Sequence, residues 1–102
     1  MPDSDLKEKT KSTIKNDIRR PPMYRVLLHN DDYTTMDFVV EVLMYVFRKS
    51  LAKSTDIMLN IHQNGIGICG IYTYEQAETK VDTVHALARE KEFPLKCTME
   101  KI

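Results

Sequence analysis

A two-layer α/β (α+β) sandwich, a three-stranded antiparallel sheet packed against three helices, is the fold class that three observations predict. Apolar residues recur with the period of a strand or of a helix in the order β-α-α-β-α-β. Capping and turn residues stand at the boundaries between those segments. Each helical segment is apolar along one stripe only, so all three need the same sheet face to cover. At 102 residues the chain forms one domain with a single modest core.

Residues 1–22 come first, dense in Lys, Asp, Ser and Thr with scattered Leu6, Ile14 and Ile18. Such a composition cannot offset the entropy of ordering, which predicts a disordered N-terminal extension ahead of a core over residues 23–102. Tyr24 to Leu28 (YRVLL) is β-prone and closes on Asn30, Asp31 and Asp32, giving the first strand and its exit loop. Thr34 then fits a helix N-cap, with Asp37 three positions on. Met36, Val39, Val40, Leu43, Phe47 and Leu51 follow as the apolar stripe of the first helix.

The second helix is signalled by Ser54 as cap, by Ile57, Met58 and Ile61, and by Asn64-Gly65 as a stop. Ile66 to Thr73 (IGICGIYT) reads as a strand in which Gly67 and Gly70 mark a bulge or a close backbone approach. Thr73 and Gln76 form a capping box for a third helix with Ala77, Val81, Val84 and Ala88 on its inner face, stopped at Pro94. The final run alternates, Leu95, Cys97 and Met99 on one side and Lys96, Thr98 and Glu100 on the other, as a half-buried strand does. The third helix crosses over between the second and third strands, and the first strand is expected between them, antiparallel to both.

Composition removes several classes of function. Basic and acidic residues both number 15, so there is no global field to draw nucleic acid. No apolar run is long enough to cross a bilayer, and the N-terminus lacks the apolar core of a signal peptide, so a cytoplasmic protein with no membrane partner is expected. Cys69 and Cys97 match neither a zinc nor a redox spacing and read as buried thiols. No cofactor is implied.

The polar residues with chemical potential fall at element ends. Met58 and His62 are four apart and share a helix face, with Ile61 on its edge, so an imidazole borders an apolar strip. If that face meets the exit of the first strand, Asn30, Asp32 and neutral His62 form an acceptor cluster beside an apolar hole. This suits an ammonium group carried next to a large nonpolar side chain, as at the start of a peptide. Pattern alone leaves a second reading open: Asn-Asp-Asp is ordinary turn material, and Met36 and Met58 serve as core filler. A metal-dependent hydrolase built on His29, Asp31, Asp32 and His62 is a rival, but no HExxH-type helix and no evident general base accompany them. A nucleic-acid module lacks a basic stripe and an exposed aromatic platform.

Four stretches, PPMYRVLLHNDDYTTMDFVVEV at 21–42, MLNIHQNGIGICG at 58–70, AETKV at 77–81 and PLKCTMEK at 94–101, resemble the ClpS family of N-degron adaptors in order and spacing. The resemblance implies a non-catalytic, monomeric adaptor that binds a free α-amine and a bulky first residue (Leu, Phe, Tyr or Trp) and delivers the substrate to a ClpA- or ClpC-type AAA+ unfoldase working with ClpP. Carried over residue by residue, it implies that Asn30, Asp32 and His62 hold the α-ammonium, with Asp31 beside the start of the ligand backbone. Thr34, Met36, Val39, Met58, Ile61 and Leu95 would line the hole, Met36 standing at the position that guards it against β-branched residues. Glu75 and Lys80 match the surface that docks the unfoldase's N-terminal domain, and the N-terminal extension matches one that the unfoldase engages. The chain departs from the family at Thr35, where proline is common and which is expected as the first residue inside the helix, and at Ile61, where valine is frequent.

Overall fold

The computed structural model describes residues 21–102; the expected disordered extension, 1–22, lies outside them apart from Pro21 and Pro22. The element order is β1 Met23–His29, α1 Met36–Tyr45, α2 Leu51–Asn64, β2 Ile66–Thr73, α3 Tyr74–Glu90 and β3 Lys96–Lys101. The sheet order is β2-β1-β3, both pairings antiparallel, as expected from the crossover argument. Val26 and Leu28 of the central strand are fully buried and belong to one core with Cys69, Cys97, Val84 and Phe38, Val39, Val42 and Leu43 of α1. Both cysteines are free thiols, and burial pushes Cys97 up to about 12 and raises Cys69 as well, so they pack as neutral small hydrophobes.

Four boundaries differ from the sequence reading, each for a local reason. The N-cap of α1 is Thr35, whose hydroxyl accepts from Phe38 N at 3.1 Å; Thr34 instead turns its hydroxyl to Asp31. Thr35 therefore stands just outside the helix, in extended backbone. The buried stripe of α1 is Phe38, Val39, Val42 and Leu43, leaving Met36 45% exposed, and Leu51 belongs to α2 and is exposed. Arg48 takes a left-handed φ of 58° and Lys49 N bonds Leu43 O, which closes α1 before Leu51.

The cap of α2 is Ser50, accepting from Lys53 N, whereas Ser54 is fully buried inside the helix. Finally, α3 ends ahead of Pro94. Glu92 adopts φ 60°, Glu92 N bonds Arg89 O and Phe93 N bonds Ala88 O, the Schellman pattern, and Phe93 folds back onto Phe38 with ring centroids 5.1 Å apart.

Two expected boundary devices are present. Thr73 and Gln76 form the reciprocal capping box of α3, and Gly65 caps α2 in the left-handed region at φ 86°. The bulge in β2 is at Cys69, which the pairing skips between Val26↔Gly70 and Leu27↔Ile68.

Candidate functional site

The exit of β1 is tied to the end of α2 by one backbone bond: Asn30 N donates to Gly65 O at 2.9 Å. Gly65 can offer that carbonyl because its left-handed conformation turns the chain sharply as α2 ends, a turn most side chains resist. The bond places Asn30 beside the last turn of α2, where His62 stands. Met36 and Val39, one turn apart at the start of α1, supply the opposite wall.

The result is a cavity of about 280 Å³ lined by Asn30, Asp31, Asp32, Thr34, Met36, Val39, Met58, Ile61 and His62. Its inner wall is apolar, with Val39 and Ile61 buried, and its mouth is polar, with Asn30, Asp32 and His62 exposed. Among the described residues the side chains of Asn30, Asp32 and His62 make no hydrogen bond to the protein, so their acceptors face outward. Such an arrangement can take a hydrogen-bond donor at the rim and a nonpolar group below it.

Asp31 differs. Its Oδ1 accepts from Tyr33 N at 2.8 Å and Thr34 N at 2.7 Å, and its Oδ2 accepts from the Thr34 hydroxyl at 2.7 Å. Burial pushes this carboxyl up, but the three bonds outweigh it and hold the group below its ordinary range.

Nine of the ten residues expected around the hole line it. Leu95 does not; it is buried in the core cluster. His29 is also apart from the site, bonding Thr98 Oγ1 at 2.7 Å, and no group of three or more His, Cys, Asp or Glu among the described residues could hold a metal ion. The four donors that a metal centre would require therefore do not come together.

Glu75 and Lys80 lie on a separate surface, a shallow groove shared with Tyr72, Gln76 and Thr79. Lys80 is not a free charge there: its Nζ donates to Val46 O at 2.9 Å and lies 5.0 Å from the Tyr72 ring centroid and 5.8 Å from that of Phe47. Sequence reasoning missed this tie, and the structural use of Gly65 and Asp31. The turn chemistry of Asp31-x-x-Thr34 and the helix-stop signal Asn64-Gly65 were the visible traces of the latter two.

Comparison with known proteins bears on this geometry. Residues 19–98 match the family model described as "ATP-dependent Clp protease adaptor protein ClpS". An ATP-dependent Clp protease adapter protein ClpS of Desulforapulum autotrophicum is 65% identical, covering 94% of this chain and 92% of that protein. The corresponding protein of Lawsonia intracellularis is 58% identical over 87% of this chain and 82% of its own length. Among solved structures, Agrobacterium tumefaciens ClpS2 bound to L-phenylalaninamide superposes with a TM-score of 0.79 at 38% identity, covering 81% of this chain and all of that one.

Proposed function

Because the chain belongs to the ClpS family of ATP-dependent Clp protease adaptors, we propose that its cavity captures the first residue of a substrate polypeptide, amine at the mouth and side chain inside. The observation that carries this is the pairing of unengaged acceptors with an apolar floor. L-phenylalaninamide, the molecule bound to the Agrobacterium relative, has the same two parts, a free α-amine and a benzyl group.

An α-ammonium donates up to three hydrogen bonds, and Asn30, Asp32 and neutral His62 each offer an acceptor. Bonds involving a charged group contribute roughly 1.5 to 3 kcal/mol each, and burial of a Leu or Phe side chain adds about 1.5 to 3 kcal/mol. After ordering and desolvation, affinity near micromolar, about −8 kcal/mol, is expected.

Leu, Phe, Tyr and Trp are the first residues that fit this reading. Met36 at the rim restricts entry at the level of Cβ and so disfavours β-branched residues. The protein is a non-catalytic adaptor that hands its cargo to a ClpA- or ClpC-type unfoldase, docking its N-terminal domain on the surface around Glu75. No helix among the described residues is long and apolar enough to cross a membrane.

The test is a fluorescence-anisotropy titration with three peptides identical except at the start: Leu with a free amine, Met with a free amine, and acetylated Leu. Acetylation removes the charge and most donors while the acceptors stay desolvated, so binding should collapse. Equal binding of all three would overturn the assignment.

A further inference from the structure

We propose that Asp31 is a positioning residue, which fixes the Met36 rim through the loop between them rather than receiving the ligand's amine; the proposal rests on the first-residue reading above. Of the roughly four acceptor positions on a carboxylate, three are filled by residues 33 and 34. The neighbouring Asp32 has no such bond among the described residues and is exposed.

Only four residues separate Asp31 from Met36, and the three nearest Met36 are each held by a hydrogen bond. Tyr33 and Thr34 hang from the Asp31 carboxylate, Thr35 caps α1, and Met36 is the first helical residue. The carboxylate thus sets where α1 begins relative to Asn30, which is itself anchored to Gly65. Removing it frees the covalent path joining the amine subsite to the rim, and the rim is what discriminates between side chains that branch at Cβ and those that do not. The depressed carboxyl is consistent with this internal engagement.

Asparagine separates the two roles. Asp31→Asn keeps an oxygen for Tyr33 N and Thr34 N and offers an amide N–H to the Thr34 hydroxyl, but carries no charge; Asp31→Ala keeps nothing. Bonds to a neutral acceptor are about half as strong as those to a carboxylate, so Asp31→Asn should bind a Leu-initiated peptide within about threefold of wild type. Loss of the brace in Asp31→Ala should weaken that binding about tenfold or more. The Kd ratio between Ile- and Leu-initiated peptides, isomers that differ only in branching, should fall in Asp31→Ala and hold in Asp31→Asn.

Equal weakening in both variants, or no weakening in either, overturns the proposal. A second measurement needs no ligand. Hydrogen exchange at the Tyr33 and Thr34 amides should accelerate about tenfold or more in Asp31→Ala and stay near wild type in Asp31→Asn. Unchanged exchange in Asp31→Ala overturns the brace whatever the cavity binds, which keeps this failure distinct from a failure of the first-residue reading.

Discussion

Gly67 on β2 stands directly behind Ile61 on α2: a methyl on its Cα would lie 2.5 Å from Ile61 Cγ1. Ile61 is also a wall of the cavity, so the strand sets the depth of the hole through a residue that does not line it. Gly67→Ala should therefore cost about 1 to 3 kcal/mol as an overpacked contact. It should also push Ile61 toward the ligand, weakening Trp-initiated peptides more than Leu-initiated ones. Thermal melts and anisotropy with Trp- and Leu-initiated peptides on Gly67→Ala test this, and an unchanged Kd ratio between the two peptides would overturn it.

The two serines four positions apart on α2 should respond in opposite directions. Ser50 caps the helix, so Ser50→Ala should cost about 1 kcal/mol. Ser54 is fully buried and its hydroxyl has no partner among the described residues, so Ser54→Ala should stabilise by roughly 1 kcal/mol, raising Tm by about 4 to 8 °C in a domain this size. A lower Tm for Ser54→Ala would mean that its hydroxyl does have a partner.

That pair also shows what could be read in the sequence. Element order, strand order and the Thr73–Gln76 box follow from periodicity and from chemistry confined to a few neighbouring positions, whereas the full set of nine cavity residues comes from the resemblance to the ClpS family. The caps of α1 and α2 do not follow from local chemistry, because Thr34 and Thr35, like Ser50 and Ser54, offer the same hydroxyl at sites within about one helical turn of each other. The choice is made by partners beyond the helix: Asp31 claims Thr34, and the left-handed exit at Arg48 lets α2 start four residues early. Leu95, which the resemblance put in the hole, stands just before β3 and is buried in the core cluster rather than among the cavity's lining residues.

Thr35→Pro should be close to neutral. Thr35 has φ −72°, which proline adopts freely, so a less flexible unfolded chain contributes about 0.4 to 1 kcal/mol. Loss of the hydroxyl bond to Phe38 N costs about 1 kcal/mol, nearly cancelling it. Thr35→Ala loses the bond without that compensation and should be the less stable variant in denaturant titrations.

Acid should weaken the fold in two stages. His29 is held below its ordinary value of 6.5 by burial first and then by Lys96, its partner in the β1–β3 register. The folded state then holds fewer protons than the unfolded chain between the two values, so stability falls as pH drops below about 6.5 and levels off beneath the lowered value. Asp31 also has a lowered value, so its contribution is complete above about 3.8 and is lost as pH falls through the folded value. Both groups are partly solvated, so each stage is small. Melts from neutral to acid pH should lose the first stage in His29→Gln and the second in Asp31→Asn.

Lys80 and Glu75 separate fold from docking. Lys80 Nζ bonds the Val46 carbonyl, the residue that caps the end of α1, and sits over two aromatic rings, so Lys80→Ala removes an interhelix tie as well as a surface charge. A hydrogen bond from a charged donor contributes roughly 1.5 to 3 kcal/mol, part of which solvent recovers at this half-buried position, so a loss of about 1 kcal/mol is expected. Glu75 is exposed in the first turn of α3, where its loss costs at most a few tenths of a kcal/mol of helix-dipole interaction. If this face docks the unfoldase domain, Glu75→Ala should weaken that complex with Tm nearly unchanged, while Lys80→Ala should lower both. Calorimetric binding to the isolated unfoldase N-terminal domain, run beside melts, would separate them. Full affinity in Glu75→Ala would move the docking surface elsewhere.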